Sequence, residues 1–357
     1  MKKPKVLCAM SGGVDSSVAA ALLQKQGYEV YGITFKLFCY AKNKMQKRAC
    51  CSLESINNAR RICQKLGIPH YIVDVSKKFE KEIIKDFINE YVAGRTPNPC
   101  VRCNQFVKFP ALINYTKKLK IDFVATGHYA RIKKDKLGLH LLKGKDKVKD
   151  QSYFLWGLTQ EQLKYILFPI GDYKKSEVFN LAKKFGLKNL VNKKESQEIC
   201  FIPGDYRAFL TDKAKKYLKK GLILDTKGKK LGEHKGLLFY TVGQRTGLGI
   251  SAYNPLYVVK IDTKKNILIV GEDNGLYQKE LMAKNINFIV GKFPKNSLSL
   301  KVKIRYGMEG QSAIVYPEVK SKKAKVIFLK PQRAITPGQS AVFYSRNELL
   351  GGGIISE

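Results

Sequence analysis

Apolar and polar positions alternate in two ways along the first part of the chain. Short apolar runs at residues 6–10, 29–35 and 69–74 predict buried strands, and apolar residues spaced by three or four positions predict helices after residue 17 and over 53–66 and 76–91. Ser52 and Ser76 are the expected caps of the last two helices. Alternating strands and helices indicate a parallel sheet with ligands at the carboxyl ends of its strands.

The alternation is interrupted at residues 94–104, where two prolines stand two positions apart. We expect those prolines to exclude a helix and to stiffen the backbone in front of Cys100 and Cys103. The pattern then predicts a helix over 105–119, a strand over 122–129, a hairpin strand at 139–142 and a helix over 176–185.

A different pattern begins near residue 205. A helix over 205–219 is followed by short apolar runs at 237–242, 256–261 and 267–270, and then by closely spaced strands at 300–306, 313–317, 324–329 and 340–344. Closely spaced strands separated by turn residues favour a small antiparallel barrel. We therefore divide the chain into domains at 1–205, 206–278 and 279–357.

Composition limits the class of protein. No apolar run approaches the roughly 20 residues of a membrane span, and no cleavable leader precedes the first strand. We expect a cytoplasmic protein with no membrane partner, in which the eight cysteines stay reduced. The formal net charge of +37 suggests a polyanion as partner, although a lysine-rich solvated surface explains the charge equally well.

Residues 11–17, with the sequence SGGVDSS, join the first strand to the first helix. Two glycines let backbone amides face outward, and the start of a helix adds donors and a positive dipole end, so the turn suits a pyrophosphate. Neither GxxxxGK[ST] nor GxGxxG occurs at this turn. A Gly-Gly turn before a helix is commonplace, but the full string resembles the PP-loop of ATP pyrophosphatases, which split ATP between its α and β phosphates.

The cysteines leave several chemistries open. Cys100 and Cys103 form a lone C-x-x-C, which suits half a zinc site, a redox pair, cluster ligands or one reactive thiol beside a bystander. Cys8 and Cys63 lie on apolar faces and are expected in the core. An isolated Cys200 would ordinarily be a core residue too, and Cys50-Cys51 stay unassigned.

Eight motifs together resemble the tRNA-specific 2-thiouridylases over essentially the whole chain. In order they are SGGVDSS, GRTPNPCVRCN, ATGHYARI, KDQSYFL, QEICFI, FYTVGQRTGLGI, KIRY and PGQSAVFY. The resemblance implies an α/β fold: a PP-loop parallel-sheet domain of the adenine nucleotide alpha-hydrolase type, a small central domain and a C-terminal antiparallel β-barrel. It also implies replacement of O2 of the wobble uridine, position 34 of the tRNA anticodon, by sulfur.

The resemblance implies a chemical course as well. ATP would adenylate the C2 oxygen, with Mg²⁺ offsetting phosphate charge and Asp15 as its expected partner. Cys200 would carry sulfur as a persulfide, and Cys103 would be the nucleophile or resolving thiol, so that a Cys103–Cys200 disulfide forms in each cycle.

Further residues are assigned by the motif match alone. The implied ATP contacts are Ala9, Met10, Ser11, Gly12, Gly13, Val14, Asp15, Ser16, Phe35 and Gly127. The implied contacts with the target base or the tRNA are Asn98, Pro99, Cys100, His128, Lys149, Asp150, Gln151, Arg305, Tyr306 and Gln339. A base turned out of the anticodon needs an aromatic partner, for which Tyr129 or Tyr306 is expected. Without the resemblance, the alternative for His128 is a hydrogen-bonded structural histidine.

One departure from the family pattern opens a second route. Many family members have Asp where this chain has Cys100, and three thiolates at Cys100, Cys103 and Cys200 would suffice for a [4Fe–4S] cluster. The residues are also compatible with a different PP-loop tRNA ligase and with a non-catalytic RNA-binding iron–sulfur protein. The expected partners are the tRNAs for Lys, Glu and Gln and a sulfur donor such as a cysteine desulfurase or a sulfur relay protein.

Overall fold

The computed structural model describes residues 3–38, 53–136, 138–191, 199–202 and 204–356. In chain order, the strands and helices of the first part are β1 (Lys5–Ala9), α1 (Val14–Lys25), β2 (Glu29–Lys36), α2 (Leu53–Leu66), β3 (His70–Asp74), α3 (Ser76–Phe79), α4 (Lys85–Val92), α5 (Pro99–Cys103), α6 (Phe109–Leu119), β4 (Phe123–Ala125), β5 (Ala130–Asp135), β6 (Gly138–Lys143), α7 (Gln160–Leu163), β7 (Ile166–Leu167) and α8 (Lys175–Lys184). Five of the strands form a parallel sheet in the order β3-β2-β1-β4-β7. The predicted parallel α/β domain is confirmed.

The central strand β1 is apolar because helices cover both faces of the sheet. Val6, Leu7 and Cys8 are completely buried, and the α2 side chain of Cys63 is buried beside them. Burial raises the pKa of both thiols, of Cys63 to about 11, so neither is reactive near neutral pH. Both cysteines belong to the core, as the sequence predicted.

Two of the predicted long helices are interrupted by π-helical turns. Glu80–Ile84 separates α3 from α4, and Asn104–Lys108 separates α5 from α6. Ser76 is not a cap, because its N–H and its hydroxyl both donate to Asp74 Oδ1, at 2.9 and 2.6 Å. The expected cap Ser52 lies outside the described residues. Within the described ranges, no helix is both long enough and apolar enough to cross a membrane.

The central part of the chain forms a small mixed sheet. Its elements are α9 (Tyr206–Lys213), β8 (Gly221–Asp225), β9 (Lys230–His234), β10 (Tyr257–Asp262) and β11 (Ile267–Gly271). The strand order is β10-β11-β8-β9, in which only β8 and β11 are parallel. The helix expected to continue to residue 219 ends at Lys213.

The prediction of a strand over 237–242 is wrong, because this apolar segment forms a 3₁₀ turn at Leu237–Phe239. Leu237 packs into the core of the central domain, whereas Leu238 packs into an apolar cluster of the first domain. The segment is apolar because it fills two cores in succession and not because it pairs with another strand.

The last part of the chain is a closed antiparallel barrel of six strands. They are β12 (Tyr277–Phe288), β13 (Leu298–Lys303), β14 (Gln311–Glu318), β15 (Lys323–Arg333), β16 (Ser340–Ser345) and β17 (Glu348–Ile355). The order is β12-β15-β14-β13-β16-β17, and pairing of β17 with β12 closes the ring. The predicted barrel is confirmed, but β17 was missed because of its glycines. A Cβ at Gly353 would lie 2.3 Å from Ile286 Cδ1, so the closing seam leaves no room for a side chain.

The hairpin β5–β6 of the first domain joins the barrel, since β6 pairs with β17. Side chains strengthen this junction. Trp156 Nε1 donates to Ser340 Oγ at 3.0 Å, and Asn287 Nδ2 donates to the carbonyl oxygen of Trp156 at 2.7 Å. The barrel is therefore held directly against the nucleotide-type domain.

The hairpin–barrel junction contains a titrating histidine. His140 Nδ1 lies 2.6 Å from Glu348 Oε1 and its Nε2 lies 2.9 Å from Asp135 Oδ1, and these carboxylates raise the pKa of the imidazole, Glu348 most strongly. Because the pKa of His140 is higher in the folded than in the unfolded protein, its protonation stabilises the fold. This stabilisation is complete at pH values below the unfolded-state pKa of roughly 6.5, and it is lost as the pH rises through the folded-state pKa.

We predict that Glu348→Gln lowers the pKa of His140, followed by NMR titration, and removes less than about 1 kcal/mol of stability at pH 6 because the pair is partly exposed. The loss should be smaller at pH 8.5. Glu161→Gln, which breaks a surface pair with Lys164, is the control. An unchanged His140 titration would contradict the assignment.

Candidate active site

The loop between β1 and α1 is held open by glycine and by its own serines. Gly12 has φ +76°, and a Cβ there would lie 2.5 Å from the carbonyl oxygen of Ser55, so the position requires glycine. Ser16 Oγ donates to the carbonyl oxygen of Gly13 at 3.1 Å and accepts from the Ser11 N–H at 3.2 Å. Since first-turn amides of a helix have no acceptor within the helix, the loop presents donors to an anion.

The structure brings the residues expected around ATP to one edge of the sheet. Ala9 ends β1, Val14 begins α1, and the N–H of Met10 bonds to the carbonyl oxygen of Ile33 in β2, close to Phe35. Gly127 follows β4, and a Cβ there would lie 2.8 Å from the nitrogen of Ser16. These residues converge because parallel strands end at the same edge.

Asp15 has partners that the sequence did not reveal. Lys175 Nζ lies 2.8 Å from its Oδ1 and 2.9 Å from its Oδ2, and the Tyr129 hydroxyl donates to Oδ1 at 2.8 Å. Lys175 comes from 160 positions further along the chain, and nothing distinguishes it from the many other lysines except its place at the start of α8. Tyr129 is almost completely buried, so the expectation that it stacks on a base is wrong.

Asp15 supplies a carboxylate beside this loop for Mg²⁺. Within the described ranges, no three His, Cys, Asp or Glu side chains are grouped as metal ligands. The Asp15 carboxylate fits a magnesium ion that takes its other ligands from phosphate oxygens and water, which is how Mg²⁺ commonly binds with nucleotides.

Cys100 and Cys103 lie on a helix, so the expectation that the prolines exclude a helix there is wrong. Asn98 caps α5 through Oδ1, which accepts from the Val101 N–H at 3.3 Å, and Pro99 occupies the first helical position. Proline is tolerated there because its missing N–H would have no partner in the helix. The two sulfurs are thus carried one turn apart.

The two predicted catalytic cysteines meet the same apolar cluster. Cys103 is a buried thiol in a cluster with Phe79, Phe87 and Phe201, and Cys200 packs against that cluster. Cys100 is exposed. Because Cys100, Cys103 and Cys200 do not form a metal-ligand group, the described residues do not fit the [4Fe–4S] site considered from the sequence.

The environment of Cys103 favours the neutral thiol. Burial raises its pKa, while the charge of Lys108 and a hydrogen bond from the backbone N–H of Lys108 act in the opposite direction. A buried thiol of this kind is protected from side reactions and reacts only slowly as a nucleophile.

All three domains hold the segment that precedes α5. The N–H of Thr96 donates to the carbonyl oxygen of Pro337 at 2.8 Å, and its Oγ1 donates to Thr241 Oγ1 at 3.0 Å. Gln339 Nε2 donates to the carbonyl oxygens of Thr96 at 2.9 Å and of Pro97 at 3.3 Å. Gln339 therefore supports the backbone in front of the thiols, and its expected contact with tRNA stays a prediction.

Arg305 faces a polar cavity at the same junction. Its guanidinium donates to the carbonyl oxygen of Ala334 and to Thr336 Oγ1, both at 2.9 Å, and burial is the main cause of its lowered pKa. The cavity has a volume of about 290 Å³ and is lined by Thr96, Thr241, Val242, Gly243, Gln244, Arg305, Thr336 and Gln339. A cation in a polar cavity suits an anionic ligand.

Of the expected tRNA contacts, Asp150 is turned inward. Its Oδ1 accepts from the N–H groups of Gly144 and Ser152, at 3.0 and 3.1 Å, and its Oδ2 accepts from Ser152 Oγ at 2.9 Å. Gln151 Oε1 likewise accepts from the N–H of Tyr129 at 3.1 Å. These two side chains shape the loop that carries Lys149, and the expected contacts of Asp150 and Gln151 with tRNA stay predictions.

His128 is uncharged in this setting. It lies between the rings of Phe109 and Phe168, with centroids 5.9 and 6.0 Å away, and its Nδ1 is 2.7 Å from Thr126 Oγ1. Burial, helped by Lys108, lowers its pKa well below the ordinary value. A neutral imidazole can accept or donate one hydrogen bond but does not attract phosphate.

Tyr306 belongs to a small aromatic group at this junction. It is partly exposed, and its ring lies 4.5 Å from that of Phe154 and 6.1 Å from that of Tyr153. The sequence did not single out Phe154, although it belongs to the KDQSYFL motif. The aromatic group joins the first domain to the barrel beside Arg305.

Comparison with known proteins gives the family. The model described as tRNA methyl transferase HUP domain matches residues 4–204, the tRNA methyl transferase PRC-barrel domain matches 207–272, and the aminomethyltransferase beta-barrel domain matches 278–355. A relative from Acetivibrio thermocellus named tRNA-specific 2-thiouridylase MnmA is 47% identical over 99% of this chain and 100% of its own length. The chain belongs to the tRNA-specific 2-thiouridylase family.

Two further members of that family support the assignment. The relative from Halothermothrix orenii, named tRNA-specific 2-thiouridylase MnmA, is 49% identical over 99% of both chains. The relative from Caldanaerobacter subterraneus subsp. tengcongensis, named tRNA-specific 2-thiouridylase MnmA 1, is 49% identical over 99% of this chain and 98% of its own. The family resemblance seen in the eight motifs is confirmed along the full chain.

In this thiouridylase-family chain, we predict that Gln339→Ala loosens the segment before α5. Two hydrogen bonds are lost, at about 0.5–1.5 kcal/mol each, and amide hydrogen exchange at Thr96 should accelerate. Gln311→Ala is the matched control, because the Gln311 amide makes only a local bond to the carbonyl oxygen of Glu309. Equal exchange at Thr96 in both variants would refute the support role.

Lys108 provides a second test, since its charge acts on two site residues. We predict that Lys108→Met raises the pKa of Cys103 further and also raises the pKa of His128. The pH dependence of Cys103 alkylation, followed by peptide mass spectrometry, and NMR titration of His128 measure the two shifts. Lys117→Met, an exposed change on α6, should alter neither.

Proposed function

We propose that this chain replaces O2 of uridine 34 in tRNA with sulfur, using ATP to activate the oxygen and a cysteine persulfide to deliver sulfur. The observation that carries the proposal is that Cys103 and Cys200 pack in one apolar cluster. The same chain has the glycine loop that leads into α1 and suits a pyrophosphate. Family membership supports the same reaction, because the relatives are named tRNA-specific 2-thiouridylases.

The first step makes the oxygen a leaving group. The C2 carbonyl of uracil is a poor electrophile because both ring nitrogens donate electrons into it. Its oxygen attacks the α phosphate of ATP, pyrophosphate leaves, and the O2-adenylate forms. The donors of the Gly12–Gly13 turn stabilise the departing pyrophosphate, and Mg²⁺, when bound at Asp15, offsets phosphate charge.

The second step transfers sulfur. The outer sulfur of a Cys200 persulfide attacks C2, and AMP leaves with the original oxygen, so that the pyrimidine is joined to Cys200 through two sulfurs. The Cys103 thiolate then attacks the Cys200 sulfur. The electron pair of the broken S–S bond stays on the sulfur at C2, which gives 2-thiouridine and a Cys103–Cys200 disulfide. A thiol reductant must reopen this disulfide before the next cycle.

The RNA is expected to bind where the first domain, the central domain and the barrel meet. Lys149 and Arg305 supply positive charge for phosphates, Tyr306 supplies a ring for stacking, and neutral His128 can bond to a base edge. We propose tRNAs for Lys, Glu and Gln as substrates and a cysteine desulfurase or sulfur relay protein as donor, acting in the cytoplasm. We also propose domain boundaries after residues 205 and 278.

A cysteine series tests the persulfide route. Cys103→Ser and Cys200→Ser should each abolish sulfur incorporation into tRNA, measured by nucleoside mass spectrometry after incubation with ATP and a sulfur source. Cys100→Ser on the same helix leaves both thiols of the persulfide route in place, so incorporation should persist, reduced only by what residue 100 contributes to holding the target base.

Each contrary result identifies a rival. Loss of activity in Cys100→Ser together with the other two variants would favour a three-thiolate iron–sulfur site. Full turnover of ATP in both Cys103→Ser and Cys200→Ser would favour a different PP-loop ligase. No oxygen-to-sulfur mass gain with the unaltered chain, aerobically or anaerobically, would reject the assignment.

A further inference from the structure

Lys175 is a buried cation next to the nucleotide loop. It is the first residue of α8 and only 8% exposed, whereas lysine is almost always found at the surface. Its ammonium is within 2.9 Å of both carboxylate oxygens of Asp15, one helical position into α1.

The helix start that carries Lys175 is fixed by its surroundings. The backbone N–H of Lys175 donates to Asp146 Oδ2 at 2.9 Å, and the N–H of Lys174 donates to Glu177 Oε2 at 2.6 Å, which secures the start of α8. Lys175 Nζ also lies 4.9 Å from the ring centre of Phe179 and 5.8 Å from that of Tyr129, where the ring faces favour a cation.

The negative charge of Asp15 is unfavourable for a nucleotide bound at this loop. A carboxylate in the first turn of a helix is favourable for the helix, but the same negative charge repels phosphates at the loop. Lys175 reaches the second residue of α1, directly after the Gly-Gly turn and Val14. Its place beside Asp15 puts a positive charge where nucleotide phosphates are expected.

We propose that Lys175 contacts the β and γ phosphates of ATP, the part of the nucleotide that leaves as pyrophosphate. Without nucleotide, its ammonium neutralises Asp15. With ATP bound, the ammonium neutralises the phosphates, which frees the Asp15 carboxylate for Mg²⁺. The proposal rests on the ATP site described under the proposed function and adds a residue that lies outside the glycine loop.

Nucleotide selectivity tests the proposal. Dissociation constants for ATP and AMP are measured by calorimetry, in the presence of Mg²⁺, for the unaltered chain, Lys175→Met and Lys175→Arg. Lys175→Met should weaken ATP binding roughly 10- to 100-fold, as expected for a hydrogen bond between charged groups, and AMP binding by less than about twofold. Lys175→Arg should recover part of the loss. Lys164→Met, an exposed lysine paired with Glu161, is the control and should change neither constant.

A double variant covers the case in which Lys175→Met folds poorly because Asp15 loses its partner. Asp15→Asn with Lys175→Met removes both charges and should fold and bind AMP. Its reference is Asp15→Asn alone, which loses the carboxylate for Mg²⁺ but keeps the lysine, and the double variant should bind ATP roughly 10-fold more weakly than that reference. Equal ATP affinity of these two variants, or an equal loss of ATP and AMP affinity in Lys175→Met, would overturn the proposal in favour of a structural brace. Failure of the unaltered chain to bind ATP would instead overturn the ATP site itself, and with it the lysine.

Discussion

The common carboxyl edge of β1, β2 and β4 is the constraint on which the rest of the molecule depends. Parallel strands carry their carboxyl ends to one side of the sheet, so Ser11, Phe35 and Gly127 lie along the same edge although they are far apart in the chain. The fit is close: Gly12 and Gly127 have no room for a Cβ, because one lies against α2 and the other against the start of α1. Such a loop is formed before any ligand arrives, which reduces the entropy lost on binding.

A second constraint joins the segment that carries Cys100 and Cys103 to the other two domains. The segment in front of Cys100 is bonded to the barrel through Pro337 and Gln339 and to the central domain through Thr241. A movement of the barrel or of the central domain would therefore be transmitted to the backbone that carries the thiols. Under the proposed function, this is the route by which bound RNA would act on the buried Cys103 thiol.

Local signals predicted the parts of the fold that depend on neighbouring residues. The apolar runs identified β1, β2 and β3, and the closely spaced strands identified the barrel. The predictions of secondary structure were wrong where the place of a residue in its helix or in the packed core decided the structure and its type did not. Prolines before Cys100 suggested a break, yet Pro99 starts the helix, and the apolar segment at Leu237 suggested a strand, yet it fills two cores.

The site was only partly predictable, because its missing members come from distant positions. Lys175 is one lysine among many until the fold places it on Asp15, and no sequence pattern indicated that the Gln339 amide bonds to the backbone of Thr96 and Pro97. The polar groups of Asp150 and Tyr129 form hydrogen bonds within the protein, to Ser152 and to Asp15. No local pattern records such pairings, since they exist only after the domains pack together.

The oxygen lost from uridine is expected to leave on the α phosphate of ATP, and the whole reaction depends on that transfer. The most direct measurement uses tRNA labelled with ¹⁸O at O2 of uridine 34, incubated with the enzyme, ATP and a sulfur source, followed by mass spectrometry of the released AMP. We predict one ¹⁸O atom in each AMP formed per thiolated uridine. Unlabelled AMP, with the ¹⁸O recovered in water or in pyrophosphate, would contradict adenylation of the uridine oxygen.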